Sequence, residues 1–279
     1  MKPGFYRMSN EEYHSGPGLS KSQLHEILRS PAHMKAPKKE TPALPFGSAF
    51  HTYTLEKDLF VDTYMIKPQG MSFATKDGKA LRSEAEESGK DILSWDDWQT
   101  IKGMAQAIWD NPIAAELLSD GEAEISGFWN DPIYPDILCK FRADWINKTT
   151  RTLVDLKSTV DAREHYFTGA AYKLGYHMQA GWYLYGATQI TGIEHDDFRF
   201  IAVEKEPPYG VMVYRASQEM IQEGLIDCQK ALEIYANCLK ESRWPCYPEV
   251  ERDLMLPGWV KRSKDMAIYE DANLRETTD

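Results

Sequence analysis

The sequence has few cysteines, no long apolar run and no recognisable export signal. Its 4 cysteines among 279 residues include no Cys-x-x-Cys pair, which disfavours structural zinc and a disulfide framework. No segment approaches the roughly 18 uninterrupted apolar residues of a membrane helix, and the first residues lack the apolar core of a secretory signal. These absences predict a reduced, cytoplasmic protein with no membrane segment.

An excess of positive charge is also missing. Lys and Arg number 32 against 43 Asp and Glu, which gives a formal net charge of −11 at pH 7. That balance excludes a histone-like protein or a uniformly basic coat around nucleic acid. It does not exclude a local basic groove, because binding depends on the electrostatic field at the site rather than on the net charge. Basic side chains do cluster, at Lys35, Lys38 and Lys39, at Lys140 and Arg142, and at Lys261, Arg262 and Lys264.

The hydrophobic pattern changes its period along the chain. It is helical over 20–30, over 47–58 and, with breaks near Gly89 and Pro112, over 80–119. It alternates as in strands over 122–129, 137–146 and 152–158. A helix over 163–189, strands over 197–203 and 210–215, and a helix over 217–240 follow. This order predicts an α/β (α+β) fold, in which a central mixed sheet with a three-stranded antiparallel meander is flanked by helices.

Two carboxylates and a lysine fall on neighbouring predicted strands. Asp144 lies on one strand, Asp155 on the next, and Lys157 two residues further on. Strand alternation puts Asp155 and Lys157 on one face. Such charges in a central sheet are costly unless they are solvated, paired or metal-bound, and hard oxygen ligands suit Mg²⁺ or Mn²⁺. A surface salt bridge between Asp155 and Lys157 is the alternative explanation.

Two predicted helices carry further candidates. His51 follows Gly47 by one turn, although an isolated histidine is more often a core or surface residue. The helix predicted over 163–189 carries an aromatic stripe, and such stripes are usually core; this one also holds an amide and three hydroxyls. Its members, along one helical face, are Tyr172, Tyr176, Gln179 and Tyr183.

Several blocks of the sequence, in order, carry a resemblance to a known family. They are YRMSNEEYHSGPGLSKSQL, SPAH, FGSAFH, ILCKFRAD, VDLKST, YHMQAGWY, WP and LPGWVK. Together they resemble the C-terminal nuclease domain of the RecE-type phage exonuclease VIII, in the RecB-like branch of the PD-(D/E)XK superfamily. The resemblance implies one exonuclease domain over 1–265, with a helical part over 1–120 and a catalytic core over 121–240. An acidic tail over 266–279, with the composition of a disordered segment, follows.

The resemblance also implies roles for particular residues. The metal ligands would be His51, Asp144, Asp155 and the Leu156 carbonyl, and Glu124 is the best match to an additional acid on the first strand of the core. Alanine stands before Asp144 where the superfamily pattern has proline. The catalytic set would be Asp144, Asp155, Lys157, Gln179 and Tyr183, of which the last two form the Q-x-x-x-Y motif.

A second group of residues would contact DNA. Ser20 and Gln23 fit a helix capping box, and the free N–H groups of a helix start favour phosphate. Ser20, Lys21 and Ser22 could therefore hold a 5′ phosphate, although simple capping by Ser20 explains the same pattern. The DNA-binding set is completed by Arg142, Tyr176 and Gln179.

The function implied is Mg²⁺- or Mn²⁺-dependent hydrolysis of linear duplex DNA from its ends, 5′ to 3′, with one or two ions. The product would be a 3′ overhang for a RecT-like single-strand annealing protein, and the enzyme would form a homo-oligomeric ring around the DNA. Two alternatives remain. One is a Cas4-like or AddB-like nuclease of other polarity, which the cysteine spacing disfavours because it does not fit an iron–sulfur cluster. The other is a non-catalytic DNA-end-binding recombination scaffold.

Overall fold

The computed structural model describes residues 1–37 and 46–256. The helices are α1 Asn10–Ser15, α2 Lys21–Arg29, α3 Pro31–Lys35, α4 Phe46–Leu55, α5 Lys57–Thr63, α6 Lys76–Ser88, α7 Trp95–Asp110, α8 Pro112–Leu117, α9 Glu164–Lys173, α10 Tyr176–Thr191 and α11 Gln218–Glu241. The strands are β1 Gly4–Arg7, β2 Leu19–Ser20, β3 Tyr64–Ile66, β4 Asp91–Leu93, β5 Gly121–Asn130, β6 Leu138–Asn147, β7 Leu153–Thr159, β8 Phe198–Glu204 and β9 Val211–Arg215. The predicted basic residues Lys38, Lys39, Lys261, Arg262 and Lys264 and the tail over 266–279 lie outside the described residues.

The main sheet is mixed, as predicted. Its strands follow the order β1-β5-β6-β7-β8-β9, and β2 pairs with β6 in parallel. Strands β5, β6 and β7 form the predicted antiparallel meander, whereas β7 and β8 are parallel and are linked through α9 and α10. The short strands β3 and β4 form a separate parallel pair.

Each face of the sheet carries its own hydrophobic cluster. One cluster joins the sheet to α2, α10 and α11, and its largest buried side chains include Trp129, Phe141 and Trp182. The other joins the sheet to α4 and α7 through residues such as Phe50 and Leu156. The alternation of β7 explains this division, because successive side chains point to opposite faces. The prediction of helices on both faces is confirmed.

Local signals fix several helix ends. The Gln23 side chain accepts a hydrogen bond of 2.9 Å from the Ser20 backbone N–H, as the capping pattern predicts. Asn111 caps α8 at the predicted break near Pro112. The helix predicted over 163–189 is wrong at one point, because Gly175 adopts a left-handed conformation (φ +69°) and separates α9 from α10.

Residues Met1–Cys246 form one compact unit, and Tyr247–Asp279 form a second. In the second unit, the described residues 247–256 contain no helix or strand. Within the described parts of the chain, no helix is both long and apolar enough to cross a membrane.

Candidate active site

Three acidic residues meet at the centre of the sheet. The ladder between β5 and β6 skips one pair between Ala123–Trp145 and Ile125–Ala143, and the register on both sides of this gap sets Glu124 across from Asp144. The ladder between β6 and β7 ends at the pair Trp145–Val154, and one further step in that register sets Asp144 opposite Asp155. The acids therefore lie at one level across three adjacent strands, where β6 and β7 stop pairing and a cleft can open.

Helix α4 adds an imidazole to this row. Ligand atoms of His51, Glu124 and Asp144 all lie within 4.8 Å of one another. His51 Nδ1 is 3.3 Å from Asp144 Oδ2, and the same oxygen accepts a hydrogen bond of 2.8 Å from the Leu156 N–H. Two carboxylates and one imidazole are a donor set that a hard divalent cation accepts. The residues present thus fit the divalent metal that the superfamily resemblance implies.

Glu124 is held in an unusual backbone conformation. Its φ of +55° lies in the left-handed region, which costs a residue with a side chain about 1–3 kcal/mol. Its carboxylate pairs with Arg142 Nε at 2.6 Å, and Arg142 also donates to the Met8 carbonyl at 2.8 Å. Arg142, predicted to bind DNA, is therefore engaged in orienting Glu124 in this structure.

Asp155 is buried and fully engaged by its neighbours. The Lys157 ammonium pairs with its Oδ2, and the Gln179 amide donates to its Oδ1. The structure thus brings Gln179 of α10 and Lys157 of β7 onto one carboxylate. The group of mutually close ligand atoms contains Glu124 rather than Asp155, so the acid that matched the family pattern least lies nearest to His51 and Asp144.

Two of the three tyrosines of α10, Tyr176 and Tyr183, make different contacts. The Lys157 Nζ lies 4.5 Å above the centre of the Tyr176 ring, which itself stacks on Phe200 at 5.5 Å and 21°. Tyr183 stacks on Phe141 at 5.0 Å and 29° within the core. Because Tyr176 meets both Lys157 and Phe200, its ring supports the lysine in this structure, and the predicted base stacking on Tyr176 would have to displace that contact.

The close approach of the acids shifts their pKa values. Burial and the Asp144 charge raise the pKa of Asp155 to about 6, although Lys157 opposes the rise. Burial and the same Asp144 charge raise the pKa of Glu124 to about 7 against the effect of Arg142. A buried carboxylate with a raised pKa is one that a cation would stabilise in its charged form. The raised pKa values of these acids and the donor set therefore both favour a bound divalent ion.

His51 and Asp144 form the charged pair of the site. Burial alone would lower the pKa of His51, but Asp144 raises it to about 9. Burial would raise the pKa of Asp144, but the His51 charge and the Leu156 N–H bring it below its ordinary value. In the protein without metal, the proton on His51 thus supplies part of the positive charge that the acids require.

Two cavities flank Arg142. One, of about 900 Å³, is lined by His51, Glu124 and the start of α1. The other, of about 840 Å³, has no carboxylate among its described lining residues, which include Ser20, Lys21, Ser22, Lys140, Arg142 and Tyr183. This second cavity, called here the basic cavity, brings the predicted Ser20, Lys21 and Ser22 together with two further cations in a chain of net charge −11.

Family comparison decides the identity of the fold. Residues 20–251 match the family model described as "PDDEXK-like domain of unknown function (DUF3799)". The chain belongs to this family. The resemblance to the PD-(D/E)XK superfamily is thereby confirmed.

Two solved structures are similar to this chain. A candidate exonuclease from Eubacterium rectale matches with a TM-score of 0.60 and 13% identity, covering 90% of this chain and 96% of the other. A phage-related exonuclease from Haemophilus somnus 129PT matches with a TM-score of 0.37 and 14% identity, over 84% of this chain and 100% of the other. No curated protein matches the sequence.

Sequence reasoning about this PDDEXK-like site missed one contact and grouped one residue wrongly. It did not find the N–H of Leu156 on Asp144, because a backbone donor leaves no mark in the sequence. It also assigned Tyr172 and Tyr176 to one helical face. Gly175 between them is the signal that could have separated them, since glycine is the usual residue at a left-handed helix end. Tyr172 instead lies on α9 and is 74% exposed.

Proposed function

We propose that the chain is a Mg²⁺- or Mn²⁺-dependent exodeoxyribonuclease that hydrolyses linear duplex DNA 5′ to 3′ and leaves 3′ overhangs. One observation carries the proposal. The ligand atoms of His51, Glu124 and Asp144 converge at the end of the β6–β7 ladder, beside Lys157, in a PDDEXK-like domain. Carboxylates, an imidazole and a lysine beside a cleft are the groups that phosphodiester hydrolysis requires.

The chemistry divides between the metal and the side chains. His51, Glu124 and Asp144 would hold one ion or share two, with Asp155 and the Leu156 carbonyl completing the ligand set. The ion, when bound, polarises the phosphate and lowers the pKa of the attacking water. Lys157 stabilises the negative charge that develops on the phosphate oxygens. Gln179 keeps Asp155 oriented through its amide hydrogen bond.

The basic cavity supports recognition of a DNA end. Lys21 Nζ donates to the Leu174 carbonyl at 2.9 Å, and Lys140 Nζ donates to the Tyr13 and Gly16 carbonyls at 2.7 Å. These bonds hold two cations in place beside the start of α2. A terminal 5′ phosphate would find the Ser20 and Ser22 hydroxyls and both lysines there.

The remaining features of the proposal depend on the family resemblance. They are the 5′-to-3′ polarity, a homo-oligomeric ring with DNA threaded through it, and a RecT-like annealing protein that receives the 3′ overhang. An acidic exterior with basic residues gathered in cavities is compatible with a ring that keeps DNA inside it.

The decisive experiment compares DNA with and without ends. With Mg²⁺, purified protein should degrade linear duplex and spare closed circles, and EDTA should stop the reaction. Release of a 5′ label before a 3′ label would establish polarity, and 5′-phosphoryl ends should be consumed faster than 5′-hydroxyl ends. Cutting of circles would indicate an endonuclease. DNA binding without any cutting would instead support the alternative of a non-catalytic end-binding scaffold.

A substitution at Tyr176 tests the support of Lys157. Tyr176→Leu removes the ring beneath the ammonium and should lower kcat roughly tenfold, because a cation–π contact is worth about 0.5–2 kcal/mol and a tenfold change in rate corresponds to about 1.4 kcal/mol. Tyr176→Phe keeps the ring face and should retain most of the rate. KM for DNA should change little in both variants. If Tyr176→Leu instead raises KM and leaves kcat intact, while Tyr176→Phe changes neither, Tyr176 stacks on DNA as the sequence predicted.

A further inference from the structure

The exposed ring of Tyr172 is mounted on a rigid base. It stacks on the His177 ring with centroids 4.9 Å apart and planes at 20°. His177 is only 7% exposed, and its Nε2 lies 3.3 Å from Asp227 of α11. Holding a large aromatic ring in place at the surface costs side-chain entropy, and the outer face of the ring gains no burial in return. The other face of Tyr172 is open to solvent, and the side chain is 74% exposed.

Two cavities of different chemistry meet at this pair of rings. Tyr172 and His177 line both of them. One cavity, of about 590 Å³, is largely apolar and contains Phe167, Phe200 and Tyr214. The other, of about 470 Å³, contains the polar side chains His25, Arg29 and Lys173. An aromatic face between an apolar cavity and a polar cavity that contains Arg29 and Lys173 suits the two halves of a nucleotide, a base and a phosphate.

Helix α2 connects this place to the proposed active site. Lys21, His25 and Arg29 are four residues apart, so they follow one face of the helix. Lys21 lines the basic cavity, while His25 and Arg29 line the cavity beside Tyr172. A phosphate backbone could therefore pass from the first cavity to the second along one row of donors.

Acidic residues are present as well, and their placement matters. Glu26 and Asp227 line the polar cavity together with Arg29 and Lys173, and Asp227 also pairs with Lys230 at 3.4 Å. Three further carboxylates line the apolar cavity, where a base rather than a phosphate would enter. They are Glu164, Glu219 and Glu223.

We propose that Tyr172 is a stacking platform for one unpaired base of a DNA strand whose backbone follows α2. Bases inside a duplex have both faces covered, so the open ring would stack on an unpaired base. The inference deepens the proposed function, because it assigns the strand beside the active site a surface that is independent of sequence.

Binding measured without metal tests the platform separately from catalysis. The probe is a fluorescently labelled oligothymidylate in EDTA, followed by anisotropy. Tyr172→Ala should weaken binding roughly tenfold or more, since base stacking on an aromatic ring has about that effect. Tyr172→Phe should bind like the wild type. Tyr166→Ala, another exposed tyrosine of α9 that lines neither cavity, is the matched control and should also bind like the wild type.

An abasic oligonucleotide of equal length separates stacking from phosphate contact. It should bind the wild type and Tyr172→Ala equally. Unchanged oligothymidylate affinity in Tyr172→Ala, or an equal loss with the abasic probe, overturns the platform. Absence of cleavage on linear duplex with Mg²⁺ would refute the nuclease proposal while leaving this binding result as it stands.

Discussion

Asp144→Asn is expected to reduce DNA cleavage at least about a thousandfold. The substitution keeps the shape of the side chain but removes the charge that His51 and a divalent ion share at this position. Loss of several kcal/mol of transition-state stabilisation corresponds to such a factor, at about 1.4 kcal/mol per tenfold. Single-turnover cleavage of a labelled linear duplex in Mg²⁺ measures the effect.

The same variant should remain folded. Asp144 lies opposite two other acids, so removing its charge lowers the repulsion within the row even as it weakens the pair with His51. The melting temperature should stay close to that of the wild type, and Mn²⁺ binding followed by paramagnetic resonance should weaken. Asp110→Asn, at an exposed carboxylate at the end of α7, is the control. Wild-type turnover in Asp144→Asn would remove the metal centre from the proposal.

Gly224→Ala is expected to destabilise the protein by about 3 kcal/mol or more. A Cβ at this position would lie 1.8 Å from the His177 carbonyl oxygen and 2.2 Å from its carbon. Both atoms belong to the backbone of α10, so no side-chain rotation relieves the clash and the two helices must move apart. Urea denaturation followed by circular dichroism measures the loss.

Gly169→Ala, in helix α9, is expected to have the opposite effect on stability. A Cβ there meets no atom within 4 Å, and the residue is exposed within α9. Alanine is favoured over glycine in a helix by up to about 1 kcal/mol, so this variant should be slightly more stable than the wild type. Equal denaturation midpoints for Gly224→Ala and the wild type would show that α10 and α11 are not held at this separation.

Patterns of alternation and helical spacing predicted the larger part of the fold. The strands β5, β6 and β7 were expected within two residues of their ends, and Asp155 and Lys157 share a face as alternation requires. The short strands β1 to β4 were not predicted. A strand of two to four residues is defined by the partner it pairs with, and its own pattern is too short to recognise.

The arrangement of the site was harder to predict than its members. Opposition of Glu124 and Asp144 depends on the register of two strands, which the connecting turn sets and the sequence does not display. The same limit applies to the surroundings of Tyr176, whose role in DNA binding stays a prediction. Its contact with Lys157 depends on where α10 begins, and the left-handed Gly175 fixes that point.

The ring of Tyr176 belongs to a longer column of aromatic side chains. Tyr176 contacts Phe167 at 6.0 Å, and Phe167 lies nearly parallel to Tyr214 at 4.9 Å and 9°. Tyr214 stands on the edge strand β9, and its hydroxyl donates to the Ala162 carbonyl at 2.5 Å. The position of the Lys157 ammonium therefore depends on aromatic packing that extends to the edge strand of the sheet. Tyr214 is remote from the carboxylates. Its natural variation should nevertheless be limited by the need for turnover as well as by the need to fold.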